Sequence, residues 1–113
     1  MSDNQISEIE VTIEQAKAQI EKMEALGRLA NNEDFKLVID DGYFLKEASN
    51  LVLLLAAPGF ASEEEQNRLN KNITAIGFLR QYFSGIMQIG AQAQKSVIDD
   101  ENTRSELLEE GGS

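Results

Sequence analysis

The stretch ISEIEVTIEQAKAQIEKMEALGRLA, residues 6–30, sets Ile6, Ile9, Ile13, Ala16, Ile20, Met23, Gly27 and Ala30 at alternating steps of three and four, with Glu, Gln and Lys in most places between. Apolar residues at a mean spacing of about 3.5 fall on one narrow stripe of a helix, the seam of a coiled coil. The stretch predicts a helix of about 25 residues, roughly 37 Å long at 1.5 Å per residue. A stripe of that length has to be covered by another helix, from the same chain or from a second copy.

Outward from this helix, Asn31 and Asn32 interrupt the pattern. The Asn32 side chain can accept from free amides of a following turn, where Glu33 and Asp34 also suit the helix dipole. Phe35, Val38 and Ile39 share a face of the short helix that follows, and Gly42, after Asp40 and Asp41, is the expected stop. The chain restarts at about Tyr43 and runs to Ala57. Phe44, Ala48, Leu51, Val52 and Leu55 form its broad apolar face, and Leu53 and Leu54 carry that face nearly all round. Such a helix is expected to be the most buried one. Pro58 and Gly59 end it. Ser62 before three glutamates, with Glu65 three residues on, has the form of a capping box. No proline follows, and Leu69, Ile73, Ile76, Phe83, Met87, Gly90 and Val97 again trace three-four spacing, with Leu79 spanning a gap at Arg80.

These elements predict an all-α fold: a long antiparallel, coiled-coil-like helical hairpin with a small head of two shorter helices. Residues 1–110 form a single helical domain, with helices over about 5–31, 33–41, 43–57 and 62–110, and 111–113 form a flexible tail. Gly77, Gly85 and Gly90 each cost a helix interior about 1 kcal/mol relative to Ala. Close helix approach is the expected reason. Gly90 and Ala93 offer a notch for Gly27 or Met23, and a hinge at Gly85 or Gly90 is the alternative.

Composition narrows the chemistry. The chain has 113 residues, no Cys and no His, which removes thiol and imidazole nucleophiles, disulfides and the usual zinc ligands. The acidic start MSDNQISEIE does not read as a secretory signal, and the longest apolar run, LVLLLAAPGF, has a Pro-Gly break well short of the roughly 20 residues of a membrane span. A soluble intracellular protein is expected. The net charge of −10 argues against capture of nucleic acid or an anionic membrane surface, either of which needs a basic patch. Asp34, Asp40 and Asp41 resemble metal ligands, but FKLVIDDG puts apolar residues where a calcium loop alternates oxygens. GIMQIG lacks the strand, lysine and hydroxyl of a phosphate loop. No catalytic, cofactor or metal site is expected, and the chain reads as a non-enzyme. Partner contacts are expected at the head, through Phe35, Tyr43, Phe44 and Phe60 and, on the long helix, Tyr82 and Phe83, with core packing as their competing role.

EALGRLANNEDFKLVIDDGYFLKEASNLVLLLAAPGF, residues 24–60, followed by NITAIGFLRQYFSGIMQIGAQAQKSV, residues 72–97, resembles the small acidic helical proteins of tailed bacteriophages. The likeness lies in the ALxRL helix end, the N-x-DFK turn, the GY restart, the proline break and the run IMQIGAQA, residues 86–93. It implies a non-enzymatic capsid, neck or assembly component in the virion or the host cytoplasm, acting through protein partners. The heptad stripe itself offers self-association along the Ile6 to Met23 seam if the hairpin within the chain leaves one stripe uncovered. Two alternatives stand beside it. One is an acidic mimic of nucleic acid that occupies a basic channel of a host enzyme through Asp99, Asp100, Glu106 and Glu109. The other is a prefoldin-like holdase.

Overall fold

The structure is a computed structural model that describes residues 2–57, 59 and 62–111. Among the described residues the chain is all-α, with helices joined by short connections. The first helix runs Ser2–Ala30 and the last Glu63–Gly111. Between them lies one further helical stretch, residues 33–56, made of a first turn Glu33–Phe35, a wide-wound segment Lys36–Glu47 and a regular segment Ala48–Ala56.

The breaks follow local chemistry. After Ala30, Asn31 and Asn32 still donate to Arg28 and Leu29 carbonyls at 3.2 and 3.0 Å, but Asn32 then turns extended (φ −76°, ψ 127°). Its Oδ1 accepts from the Phe35 amide at 3.0 Å, the expected cap. Asn32→Ala should therefore destabilise the 33–56 helix by about 1 kcal/mol, read as faster amide exchange at Phe35 and Lys36. Exchange unchanged at those amides would show that the cap contributes nothing. Ser62 Oγ likewise accepts from the Glu65 amide at 3.3 Å, and Gly59 takes the left-handed φ of +72° that follows a helix end.

Two compact units divide the chain. One consists of residues 1–26 and 85–113. Here the first helix packs antiparallel on the second half of the last, burying Ile13, Ala16 and Ala93, with Ile6, Ile9, Ile20 and Met23 half-buried along the seam. The seam expected from spacing is thus covered in large part within the chain. Gly90 is the notch: a Cβ built on it would lie 2.5 Å from the Met23 Cβ. Gly27 does not share that role, since nothing lies within 4 Å of the Cβ it would carry, and the same holds for Gly77 and Gly85. Close approach therefore accounts for one of the three interior glycines of the last helix.

The other unit, residues 27–84, packs the 33–56 helix on the first part of the last helix. Leu51, Leu69 and Ile76 are buried at its centre, with Tyr43, Phe44, Ala48, Leu55 and Ile73 packed around them. Two expectations fail here. Gly42 does not stop a helix; it lies inside the wide-wound segment, so residues 33–41 and 43–57 belong to one helical stretch. Nor is that stretch buried on all sides: Val52 is 52%, Leu53 68% and Leu54 42% exposed. With two helices in the unit, each can have only one face covered. At the C-terminus, Gly111 is still helical, while the rest of the expected tail, Gly112 and Ser113, lies outside the described residues.

Candidate interaction surface

The winding of Lys36–Glu47 places the aromatic residues. Phe35 and Phe44 are nine apart, which in a 3.6-residue helix is two and a half turns and puts them on opposite faces. Yet both rings pack on Phe83 of the last helix, at centroid distances of 6.0 and 5.9 Å. A helix whose amides bond five residues back rather than four turns more slowly and can deliver both. Phe35, Ile39, Phe44 and Ala48, spaced four, five and four, then keep to one side, all half-buried. Gly42 sits within this turn, where an added Cβ would meet the Leu37 carbonyl oxygen at 3.1 Å. Tilted and edge-on rings at these distances are favourable pairs, worth about 0.5–1.5 kcal/mol each beyond their buried area. The Arg80 guanidinium carbon stands 5.7 Å from the Phe44 centroid and adds a cation–π contact.

Five of the six aromatic residues singled out from the sequence are thus brought together. Phe35, Tyr43, Phe44 and Phe83 are half-buried and belong to the packing of the unit, with Tyr43 6.0 Å from Phe44. Tyr82, 6.1 Å from Phe83, is 54% exposed. Phe60 lies outside the described residues.

The exposed apolar surface is elsewhere. Leu37, Leu45 and Leu53 recur every eight residues on the 33–56 helix, about two turns apart, and are 63%, 60% and 68% exposed. Val38, Val52 and Leu54 flank them, also in solvent. One apolar residue in water is ordinary; a line of them along a helix whose inner side is already packed is a candidate contact surface. Spacing did not reveal it, because the run LVLLL reads equally as core. The signal lay in supply: an all-round apolar helix beside only one long partner leaves a face uncovered.

Elsewhere the relief is shallow. A trough in the terminal unit has Ala16 and Ala93 in its floor and Thr12, Gln15, Gln19, Gln92 and Ser96 on its sides. Another, along the last helix, is lined by Asn67, Asn70, Lys71, Thr74, Ala75 and Phe78. Among the described residues no three acidic side chains converge as a metal-holding group, and no helix is long and apolar enough to cross a membrane. Charge is segregated. Residues 1–26 and 85–113 carry twelve acidic against four basic side chains, and residues 27–84 carry eight against six. Comparison with family models, with curated proteins and with solved structures found no match.

Proposed function

We propose that this chain is a non-enzymatic structural or assembly protein that works by presenting apolar helix faces to protein partners. The observation that supports this reading is the solvent-facing line Leu37, Leu45 and Leu53 on a helix packed on its other side. Burying each of these side chains in a partner is favourable by about 1–2 kcal/mol, the usual value scaled by their exposure, so a few suffice for a specific contact. The resemblance to small acidic proteins of tailed phages supports an assembling virus particle as the setting. A photoreactive residue at Leu53 should crosslink to another protein in producing cells, giving adducts of defined mass that the same residue at exposed Glu10 does not give. Equal labelling from both positions, or none, would defeat the reading. Mass spectrometry of purified particles tests the setting, and absence of the chain from them would remove it.

The segregation of charge favours a second reading, an acidic mimic bound in a basic channel. Such binding weakens steeply with salt and is lost when Asp99, Asp100, Glu106 and Glu109 are neutralised together. An apolar helix contact is left nearly unchanged by both.

A further inference from the structure

Residues 33–56 carry a second possible inner face that the observed winding leaves outside. Counted at the alternating three and four of a regular helix, Phe35, Val38, Gly42, Leu45, Ser49, Val52 and Ala56 form an unbroken seam without a charged residue. Its spacing suits the regular seam of the last helix, Leu69, Ile73, Ile76 and Phe83. In the structure the inner side is instead Phe35, Ile39, Phe44, Ala48, Leu51 and Leu55, stepped four, five, four, three and four. Val38, Leu45 and Val52 of the unused seam, and Leu53 beside it, are all more than half exposed.

Winding relates the two faces. Phe35 and Phe44 both reach Phe83, so nine residues cover about two turns where a regular helix covers two and a half. With Phe35 held at the Asn32 cap, regular winding of Lys36–Glu47 therefore rotates Ala48–Ala56 by roughly half a turn about its own axis. Leu51 and Leu55 swing out; Leu45, Val52 and Leu53 swing in. Residues 51–55 are apolar on every side, so either side can be covered. We infer that Lys36–Glu47 is a winding switch: its wide form shows Leu45, Val52 and Leu53 to solvent, and a regular form turns them onto the last helix and shows Phe44, Leu51 and Leu55.

Opposed contributions hold the two forms close. The wide form keeps the Phe44 ring 5.9 Å from Phe83, with the Arg80 guanidinium 5.7 Å from its centroid, and buries Leu51. The regular form restores the four-residue hydrogen-bond ladder along a segment of 12 residues, far longer than the single turns in which wide winding ordinarily occurs. Such a stretch is held wide by its tertiary contacts, and packed cores of this kind have discrete alternatives rather than a continuum. Gly42 is the pivot. In the wide form an added Cβ meets the Leu37 carbonyl oxygen, five residues back, at 3.1 Å, and bonding four residues back relieves that crowding.

The switch stands on the winding and not on the reading of the face as a protein contact; where that reading holds, the winding decides whether Leu45 and Leu53 are shown. It is tested on the isolated full chain, so its outcome is independent of crosslinking in cells. In the unchanged chain, methyl NMR should find Leu51 and Leu53 exchanging with a minor form of about 0.1–10% on the microsecond to millisecond scale. Gly42→Ala, which crowds the wide form, should raise that population several-fold, and adding Phe44→Ala should make it dominant, with a Leu45 methyl now close to the Phe83 ring. The chain has no cysteine, so single thiols report the faces. Without the biasing changes Leu53→Cys should react fast and Leu51→Cys slowly. With both added, Leu51→Cys should gain several-fold and Leu53→Cys should lose several-fold, and Leu55→Cys should follow Leu51→Cys where the latter costs the chain its fold. Plain loosening accelerates all positions; only rewinding moves them in opposite senses. Leu45→Asp, which sets a charge on the inner face of the regular form, should restore the original pattern. Should the double variant lose helicity, Gly42→Ala alone gives the same opposed changes at smaller amplitude. Labelling that rises at both faces or moves at neither, a pattern that Leu45→Asp leaves altered, or an unchanged chain without the minor form would each overturn the inference.

Discussion

Leu69→Ala is expected to lower stability by about 3 kcal/mol and the thermal midpoint by on the order of 10 °C. Leu69 is 1% exposed and meets the buried Leu51 and Ile76 at the centre of residues 27–84. Truncation removes the transfer free energy of its side chain and leaves a cavity, a combination that costs roughly 2–5 kcal/mol in well-packed cores. The upper end is not reached here. The surrounding Tyr43, Phe44, Leu55 and Ile73 are only half-buried and can relax toward the gap. Even so, the loss is a large share of the roughly 5–15 kcal/mol that holds a domain of this size. Leu53→Ala is the matched control: same chemistry, same unit, but 68% exposed, with an expected effect within about 0.5 kcal/mol when measured at concentrations that keep the chain monomeric. Circular dichroism melts give the size of the effect, and hydrogen exchange gives its place, faster opening across residues 33–56. Equal costs for the two substitutions would mean that the packing around Leu69 is not the core of this unit.

What could be read in advance, and what could not, divides along a physical line. Asn32, Ser62 and Gly59 act on groups within three or four residues, so their chemistry is complete in the local sequence. The Met23–Gly90 notch was legible because a heptad seam demands close approach and a glycine in it has few other reasons to be there. Gly42 is the opposite case. After two acids it has every local mark of a helix stop, and the choice between stopping and winding wide is made by Phe83, which both Phe35 and Phe44 reach. The spacing of four, five and four from Phe35 to Ala48 was the available trace, too long a step for a regular helix. The exposure of Leu37, Leu45 and Leu53 could not be read from periodicity at all. It depends on how many helices the unit contains, and two cannot cover an all-round apolar surface. The aromatic residues chosen as contacts were chosen by type, and four of the five described ones turn inward. The better guide was the excess of aliphatic residues over what one partner helix can bury.

The three interior glycines of the last helix should respond to alanine with opposite signs. At Gly77 and Gly85 an added Cβ meets nothing within 4 Å, so each Gly→Ala change removes the cost of a flexible residue in a helix and raises stability by up to about 1 kcal/mol. Gly90→Ala offers the same local gain, yet its Cβ arrives 2.5 Å from the Met23 Cβ, 2.7 Å from its Sδ and 2.9 Å from its Cγ. The sulfur and Cγ can swing to another rotamer; the Met23 Cβ is fixed to the first helix, so the two helices must part. Separation loosens the packing of Ile13, Ala16 and Ala93 along the same seam. Overpacking of this kind costs about 1–3 kcal/mol, which outweighs the local gain and leaves Gly90→Ala net destabilising by about 1–2 kcal/mol. Second-site changes separate the cause. Met23→Ala removes the sulfur and Cγ but keeps the colliding Cβ, so it should not rescue Gly90→Ala. Met23→Gly should, despite its own helix cost, with a coupling of about 1 kcal/mol or more in the double-mutant cycle. Urea melts of these single and double variants decide the matter: if Gly90→Ala stabilises the chain as Gly77→Ala does, the notch does not hold the terminal helices together, and a hinge at Gly90 becomes the better account of a glycine there.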